Sequence, residues 1–306
     1  MNWSHFLIAI RWQNVFIIWL MQSVVFFRYV LPYCGHDNYS FASFILLLIA
    51  TGSVLGGGNI YNDIRDISTD ALHTDPSKPG PIGVEISIPT ARNWYFTLSG
   101  IPVLIVVAGM VFYSWPVSLA IIIVAGIISL YLYSTHLKST ILTGNLLVAA
   151  LCAVSVWMTT LLLPGCKLGI TPDWEGPIPV ILYGYIANAF MVTLLREIVK
   201  DKEDAPSDIS AGIYTIGSLP EKSFYWTFNG ILLIITTVNA FWFFKLKSMM
   251  TAQSWNLGIL FIFIPLVIIA LIFNLPHKPK VYPFLSKLIK VYILFAILLL
   301  VLWQKF

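Results

Sequence analysis

The chain has 306 residues, 58% of them apolar and only 10% charged, with a net charge of +4. That composition excludes a soluble globular protein, which has nowhere to put so much apolar surface. In a soluble protein the net charge would bear on partners; here its distribution along the chain matters more than its sum, and no nucleic-acid partner is expected.

A bilayer's hydrocarbon core is about 30 Å thick and takes roughly 20 apolar residues per helix. Windows of that length predict nine spans, near 7–27, 40–60, 94–113, 116–133, 141–163, 178–199, 224–244, 254–274 and 288–303. They must be helices, because backbone amides in lipid are satisfied within their own segment and the alternation of a barrel is absent. The expected fold class is therefore an all-α integral membrane protein. No composition shift or linker divides it, so residues 1–306 are read as one polytopic domain.

The first run is bounded by Arg11 and Arg28 and lacks a small-residue cleavage site, so it reads as a span and not as a removable signal. Arg11, at its start, has two readings, an anion contact or a side chain snorkelling to the interface. The second span carries Gly52, Gly56, Gly57 and Gly58, taken as places where helices approach closely in preference to ligand contacts. Where that span leaves the apolar region, Asn62, Asp66 and Asp70 recur at i, i+4, i+8, with Asp63 beside them. On a continuing helix they form one stripe of oxygen ligands, which suits Mg²⁺ held by one or two carboxylates plus substrate phosphates.

Further along, Lys138 is the only Lys or Arg in its loop and closes the string 131–138, which suggests a contact to a diphosphate. The sixth span ends in a second acidic cluster, with Glu197, Asp201, Asp204 and Asp208 at i, i+4, i+7 and i+11. Pro206 predicts that this helix ends near Asp204 and that Asp208 sits in a turn. Arg65, Lys78, Arg92, Arg196, Lys200 and Lys202 surround the two clusters as candidate anion ligands, several of them serving as topology signals as well.

With nine spans, 13 of the 18 lysines and arginines fall on the side of the amino terminus, which makes that side cytoplasmic by the positive-inside tendency. Lys287 and Lys290 are counted among those topology charges. Eleven of the 14 acids sit in the loops after spans 2 and 6, on that same side. Like charges packed this closely repel unless a cation bridges them, so a metal is the physical explanation. Cys34, Cys152 and Cys166 show no metal-binding spacing. Cys34 and Cys166 fall on the outer side and could pair, but isolated small apolar residues are the preferred reading.

These residues resemble the UbiA superfamily of intramembrane prenyltransferases. That family's first motif, N-D-x-x-D-x-x-x-D after the second helix, stands complete at 62–70 behind Gly56-Gly57-Gly58-Asn59, and the second motif looks like 196–208. Residues 10–14, 133–138 and Gly144-Asn145 also look like family positions. The resemblance implies nine helices around a central cavity, with both acidic motifs over its cytoplasmic mouth. It implies that Asn62, Asp63, Asp66, Asp70, Glu197, Asp201, Asp204 and Asp208 hold Mg²⁺, and that Asp66, Asp70, Asp204 and Lys138 carry catalysis. Arg11, Arg65, Lys78, Tyr133, Lys138, Arg196 and Lys200 would bind an isoprenoid diphosphate and a lipid-soluble acceptor, with no obligate protein partner.

Two departures stand out: the family usually shows K-P-x-R-P where this chain has Lys78-Pro79-Gly80-Pro81-Ile82, and Gly-Asp where Ser207-Asp208 stands. The string 196–204 is most similar to the branch that adds geranylgeranyl to geranylgeranylglyceryl phosphate; aromatic acceptors such as 4-hydroxybenzoate, dihydroxynaphthoate or homogentisate are the alternative. A CDP-alcohol phosphotransferase lacks support, since its Gly and Ala-Arg are missing after Asp66. An ion-coupled transporter would place its acids near the bilayer midplane, not at span ends.

Overall fold

The computed structural model describes residues 3–35, 40–70, 80–163, 166, 168, 176–275 and 281–303, the side chain of Asp70 excepted. Among the described residues a short helix α1 (Trp3–Ala9) precedes nine helices long and apolar enough to cross a membrane. These are α2 (Trp12–Cys34), α3 (Phe41–Asp70), α4 (Ile88–Tyr113), α5 (Val117–Leu137), α6 (Thr143–Leu161), α7 (Pro177–Ser210), α8 (Glu221–Met249), α9 (Ala252–Asn274) and α10 (Val281–Leu302). No strand occurs among the described residues.

Two helices are longer than the membrane requires. At about 1.5 Å per residue, the 30 residues of α3 and the 34 of α7 outrun a core about 30 Å thick by several turns. Those extra turns are the acidic ones, so helix length lifts both clusters clear of the lipid.

The chain differs from expectation at three places. The first span begins at Trp12, not near residue 7, because Arg11 adopts a left-handed backbone (φ 53°) that breaks the helix. Asn59 Nδ2 donates to the carbonyl of Ile10 at 3.0 Å and ties the break to α3. The last span begins at Val281, not near 288, which places Lys287 and Lys290 on the helix itself. The third concerns α7, which does not end near Asp204 but continues through Pro206 to Ser210. Proline removes only the hydrogen bond from position 206 back to the Lys202 carbonyl, a loss the rest of this 34-residue helix absorbs, so the helix continues and Asp208 stays buried on it; Ser207 Oγ and Ser210 Oγ add bonds to the carbonyls of Asp204 (2.8 Å) and Pro206 (2.9 Å).

An inner ring forms from α2, α3, α5, α6, α7 and α10, closed where α10 packs on both α7 and α2. Outside it, α4 lies along α3 and α5, while α8 and α9 lie along α7 and α10. Gly52 faces the Trp19 ring, Gly56 faces Ile10, Gly57 faces Leu98 and Gly58 faces Leu130, so the glycines of α3 admit neighbouring helices as expected. Buried Gln22 bridges three ring helices: it donates to the Ser155 carbonyl (2.9 Å) and accepts from Thr51 Oγ1 (3.0 Å). Large apolar side chains stand exposed around the outside, Leu104, Phe112, Leu233 and Leu271 among them, as a lipid-facing surface requires.

At the end of the bundle remote from the acids, Cys34 and Cys166 form a disulfide with Cα atoms 5.2 Å apart, correcting the reading of both as isolated residues. The sequence separation of 132 hid the pairing, since only the folded ring brings the end of α2 to the segment after α6.

Candidate active site

The inner ring encloses a cavity of about 850 Å³. Its wall is apolar in the membrane half, with Ile17, Val54, Leu55, Ile122, Leu151 and Ile293, and changes to charged residues at one mouth. Asn62, Asp63 and Asp66 of α3 and Glu197, Asp201, Asp204 and Asp208 of α7 all line this one hollow. The two acidic rows, about 135 positions apart in the chain, thus converge.

Each element delivers its side chains for a local reason. The break at Arg11 aims the guanidinium across to α3, where Nη2 meets Asp63 Oδ1 at 2.7 Å. Of its two sequence readings, the structure shows the side chain turned to the cavity. Burial pulls the Arg11 pKa down, but the Asp63 carboxylate outweighs it and holds the group above its ordinary value. At the end of α5 a π turn over Tyr133–Leu137 widens the helix, as π turns do at functional sites, and brings Tyr133 to the wall and Lys138 to the mouth. Gly144 makes room for this turn, since a methyl there would stand 2.8 Å from the Leu137 carbonyl oxygen. Lys138 Nζ pairs with Asp66 Oδ2, which also accepts from Asn62 Nδ2 at 2.5 Å.

On α7, Arg196 Nη1 meets Glu197 Oε1 at 2.7 Å and Lys200 lies 3.8 Å from the other oxygen. Asp201 Oδ2 accepts from Asn145 Nδ2 of α6 at 2.8 Å. The turn Ile216–Ser218 backs this stretch, with Gly217 pressed against the Asp201 main chain and Thr215 on the cavity wall.

Arg65 departs from expectation: it is exposed and does not line the cavity. Asn62, Asp63, Asp66 and Thr69 occupy the inward face of α3, and at 3.6 residues per turn Arg65 lies about 100° from the middle of that face. The side chain of Asp70 and all of Lys78 lie outside the described residues.

The donor set fits a hard divalent cation. It offers oxygens only, and Asn62 Oδ1 is buried with no hydrogen-bond partner. Among the described residues no three carboxylate, histidine or cysteine groups converge on one point, and the acids are instead balanced by Arg11, Lys138, Arg196 and Lys200. A cation of the Mg²⁺ type does not need three protein ligands, because substrate phosphates and water complete its shell.

The family model for UbiA prenyltransferases matches residues 23–296. The chain belongs to the UbiA prenyltransferase family. It is 29% identical to a digeranylgeranylglyceryl phosphate synthase of Sulfurisphaera tokodaii over 230 residues, 74% of each chain. It is 33% identical to the enzyme of that name from Methanoculleus marisnigri over 174 residues, 56% of this chain and 55% of that one. A solved digeranylgeranylglyceryl phosphate synthase superposes over 97% of this chain and 96% of its own, with a TM-score of 0.66 at 18% identity. A UbiA homologue from Archaeoglobus fulgidus, solved with GPP and Mg²⁺, superposes over 97% and 100% with a TM-score of 0.61 at 16% identity.

For this UbiA-family prenyltransferase, sequence reasoning missed as site residues Asn145, which orients Asp201, and Thr215, Lys287 and Lys290, which line the cavity. The string Gly144-Asn145 carried a signal for the first. The lysines looked like topology charges because the start of α10 was placed too late.

Proposed function

We propose that this membrane prenyltransferase transfers a geranylgeranyl group from its diphosphate to the free hydroxyl of geranylgeranylglyceryl phosphate. The observation that carries the reading is the convergence of two carboxylate rows and their bases on the mouth of one cavity with an apolar depth. The names of the relatives select the acceptor.

In this reading Asn62, Asp63, Asp66, Glu197, Asp201, Asp204 and Asp208 supply the oxygens for Mg²⁺, with Asp70 extending the stripe. When bound, that ion neutralises a diphosphate and stabilises charge on it as a leaving group. Lys138, freed from Asp66, adds a fixed positive charge beside the leaving oxygens, and Arg11 does the same from the far wall. As the C1–O bond of the donor breaks, its electron pair stays with the diphosphate. The acceptor oxygen then forms the new ether bond to C1, and its proton is released at the aqueous mouth. Tyr133 and the apolar wall shield the allylic carbon from water while it is electron-poor.

The mouth and amino terminus are assigned to the cytoplasmic face of the cell membrane. The excess of Lys and Arg on that side supports this, as does a disulfide at the other end, since disulfides persist on the oxidising side.

The test incubates purified protein with Mg²⁺, geranylgeranyl diphosphate and a panel of glyceryl-phosphate and aromatic acceptors, with products read by mass spectrometry. Ether product from the glyceryl phosphate, lost with EDTA and restored by Mg²⁺, is expected. Product from an aromatic acceptor alone would overturn the choice of acceptor.

A further inference from the structure

Lys287 and Lys290 have no part in the assignments above. Both line the cavity from α10, three residues apart and so on one face of the helix. Lys290 lies about 13 Å along that helix, inside the span. An ionisable side chain within a span is costly, and where one occurs it faces a cavity or a ligand path. Neither lysine has a hydrogen bond or ion pair among the described residues.

Beside burial, the strongest charges acting on Lys290 are those of Arg196, Lys200 and Arg11, with the carboxylate Glu197. Glu197 already serves Arg196 and Lys200, and Arg11 is engaged with Asp63. Asp201, the next acid on α7, is turned to Asn145. Arg196 Nε is buried without a partner, a donor that an anion would satisfy. Next to Lys290 the nearest charges are thus bases, with Glu197 as the carboxylate among them, while Asp201, Glu203, Asp204 and Asp208 line the cavity further along α7.

We infer that Lys287 and Lys290, together with Arg196 and Lys200, form a second anion subsite that holds the phosphomonoester of the acceptor. The inference rests on the glyceryl-phosphate reading above. In such an acceptor the phosphate is carried on the carbon next to the one bearing the reacting hydroxyl, so it must enter the same cavity as the donor diphosphate. Two phosphate groups in a low-dielectric hollow repel strongly, and each needs its own positive charge. The metal-holding acids of α3 and α7, with Lys138 and Arg11, serve the diphosphate; Arg196 and Lys200 of α7 and the two lysines of α10 are the positive charge that remains.

The experiment measures KM for donor and acceptor separately in wild type, Lys290→Met, Lys287→Met and Lys290→Arg, using geranylgeranylglyceryl phosphate and its dephosphorylated form, geranylgeranylglycerol. Loss of a charge-assisted contact should raise the KM for the phosphorylated acceptor roughly tenfold or more in Lys290→Met. The donor KM should stay unchanged, Lys290→Arg should recover, and the dephosphorylated acceptor should not distinguish the variants. The unchanged donor KM shows that the variant is folded, and Lys287→Met carries the same test from an exposed position should Lys290→Met fail to fold. Wild-type acceptor KM in both Met variants, or a donor KM that rises in parallel, overturns the subsite while leaving the reaction intact. No wild-type turnover of the phosphorylated acceptor overturns reaction and subsite together.

Discussion

Gly217→Ala should damage catalysis from outside the cavity. Gly217 is buried in the turn Ile216–Ser218, where a Cβ would overlap the main-chain carbonyl of Asp201 and stand 2.6 Å from the nitrogen of Lys202. Relief to ordinary contact distance requires a shift of more than about 1 Å between the turn and α7, the Asp201 oxygen being the atom the Cβ would meet most closely. Overpacking of that kind costs about 1–3 kcal/mol of stability, and a misplacement of about 1 Å near reacting groups costs on the order of a hundredfold in rate. Asp201 moves directly, and Thr215, on the cavity wall two residues away, moves with the turn. The assay is turnover of geranylgeranyl diphosphate with its acceptor at saturation, alongside a thermal melt in detergent. Gly230→Ala in α8 is the control: nothing lies within 4 Å of its Cβ position, so alanine should leave turnover unchanged and add about 0.5–1 kcal/mol of helix stability. Wild-type turnover in Gly217→Ala, or equal damage in both variants, would refute the argument.

Three further outcomes are expected. Asp66→Ala or Asp204→Ala should reduce turnover by roughly a thousandfold or more, because each removes a metal ligand from the cavity, and full activity in both would sink the ligand assignment. Lys138→Met should lower kcat by about a hundredfold with a smaller change in KM, and Lys138→Arg should recover part of it; an effect on KM alone would mean that the lysine only binds ground-state substrate. Cys34→Ser opens a loop of 132 residues and should cost about 2–4 kcal/mol, seen as a lower melting temperature under oxidising conditions, with turnover at 25 °C unaffected because the bridge is remote from the mouth. Reducing agent should lower the melting temperature of the wild type equally, and insensitivity to both would deny the bridge.

Much of the architecture was legible because lipid imposes simple rules. Nine apolar runs, an asymmetric distribution of bases and two acid stripes at helical spacing follow from residue type and period alone, and the structure brings both stripes to one hollow. The limits were equally physical. Helix ends were misplaced where a single backbone feature decided them: the left-handed Arg11, the start of α10, and Pro206, whose one lost hydrogen bond a long helix tolerates. The Cys34–Cys166 pair was one of two readings until the ring closed.

What the residue order settled by itself was what must leave water, what must not, and which acids share a helical face, since these depend on chemistry and on a period of 3.6 residues. Only the tertiary structure decided which charges meet: that Lys138 answers Asp66, that Arg65 turns away, and that two lysines of the last helix enter the cavity. Such pairings depend on how helices rotate and slide against one another, and a displacement of a few ångströms, invisible in any local pattern, changes the partner.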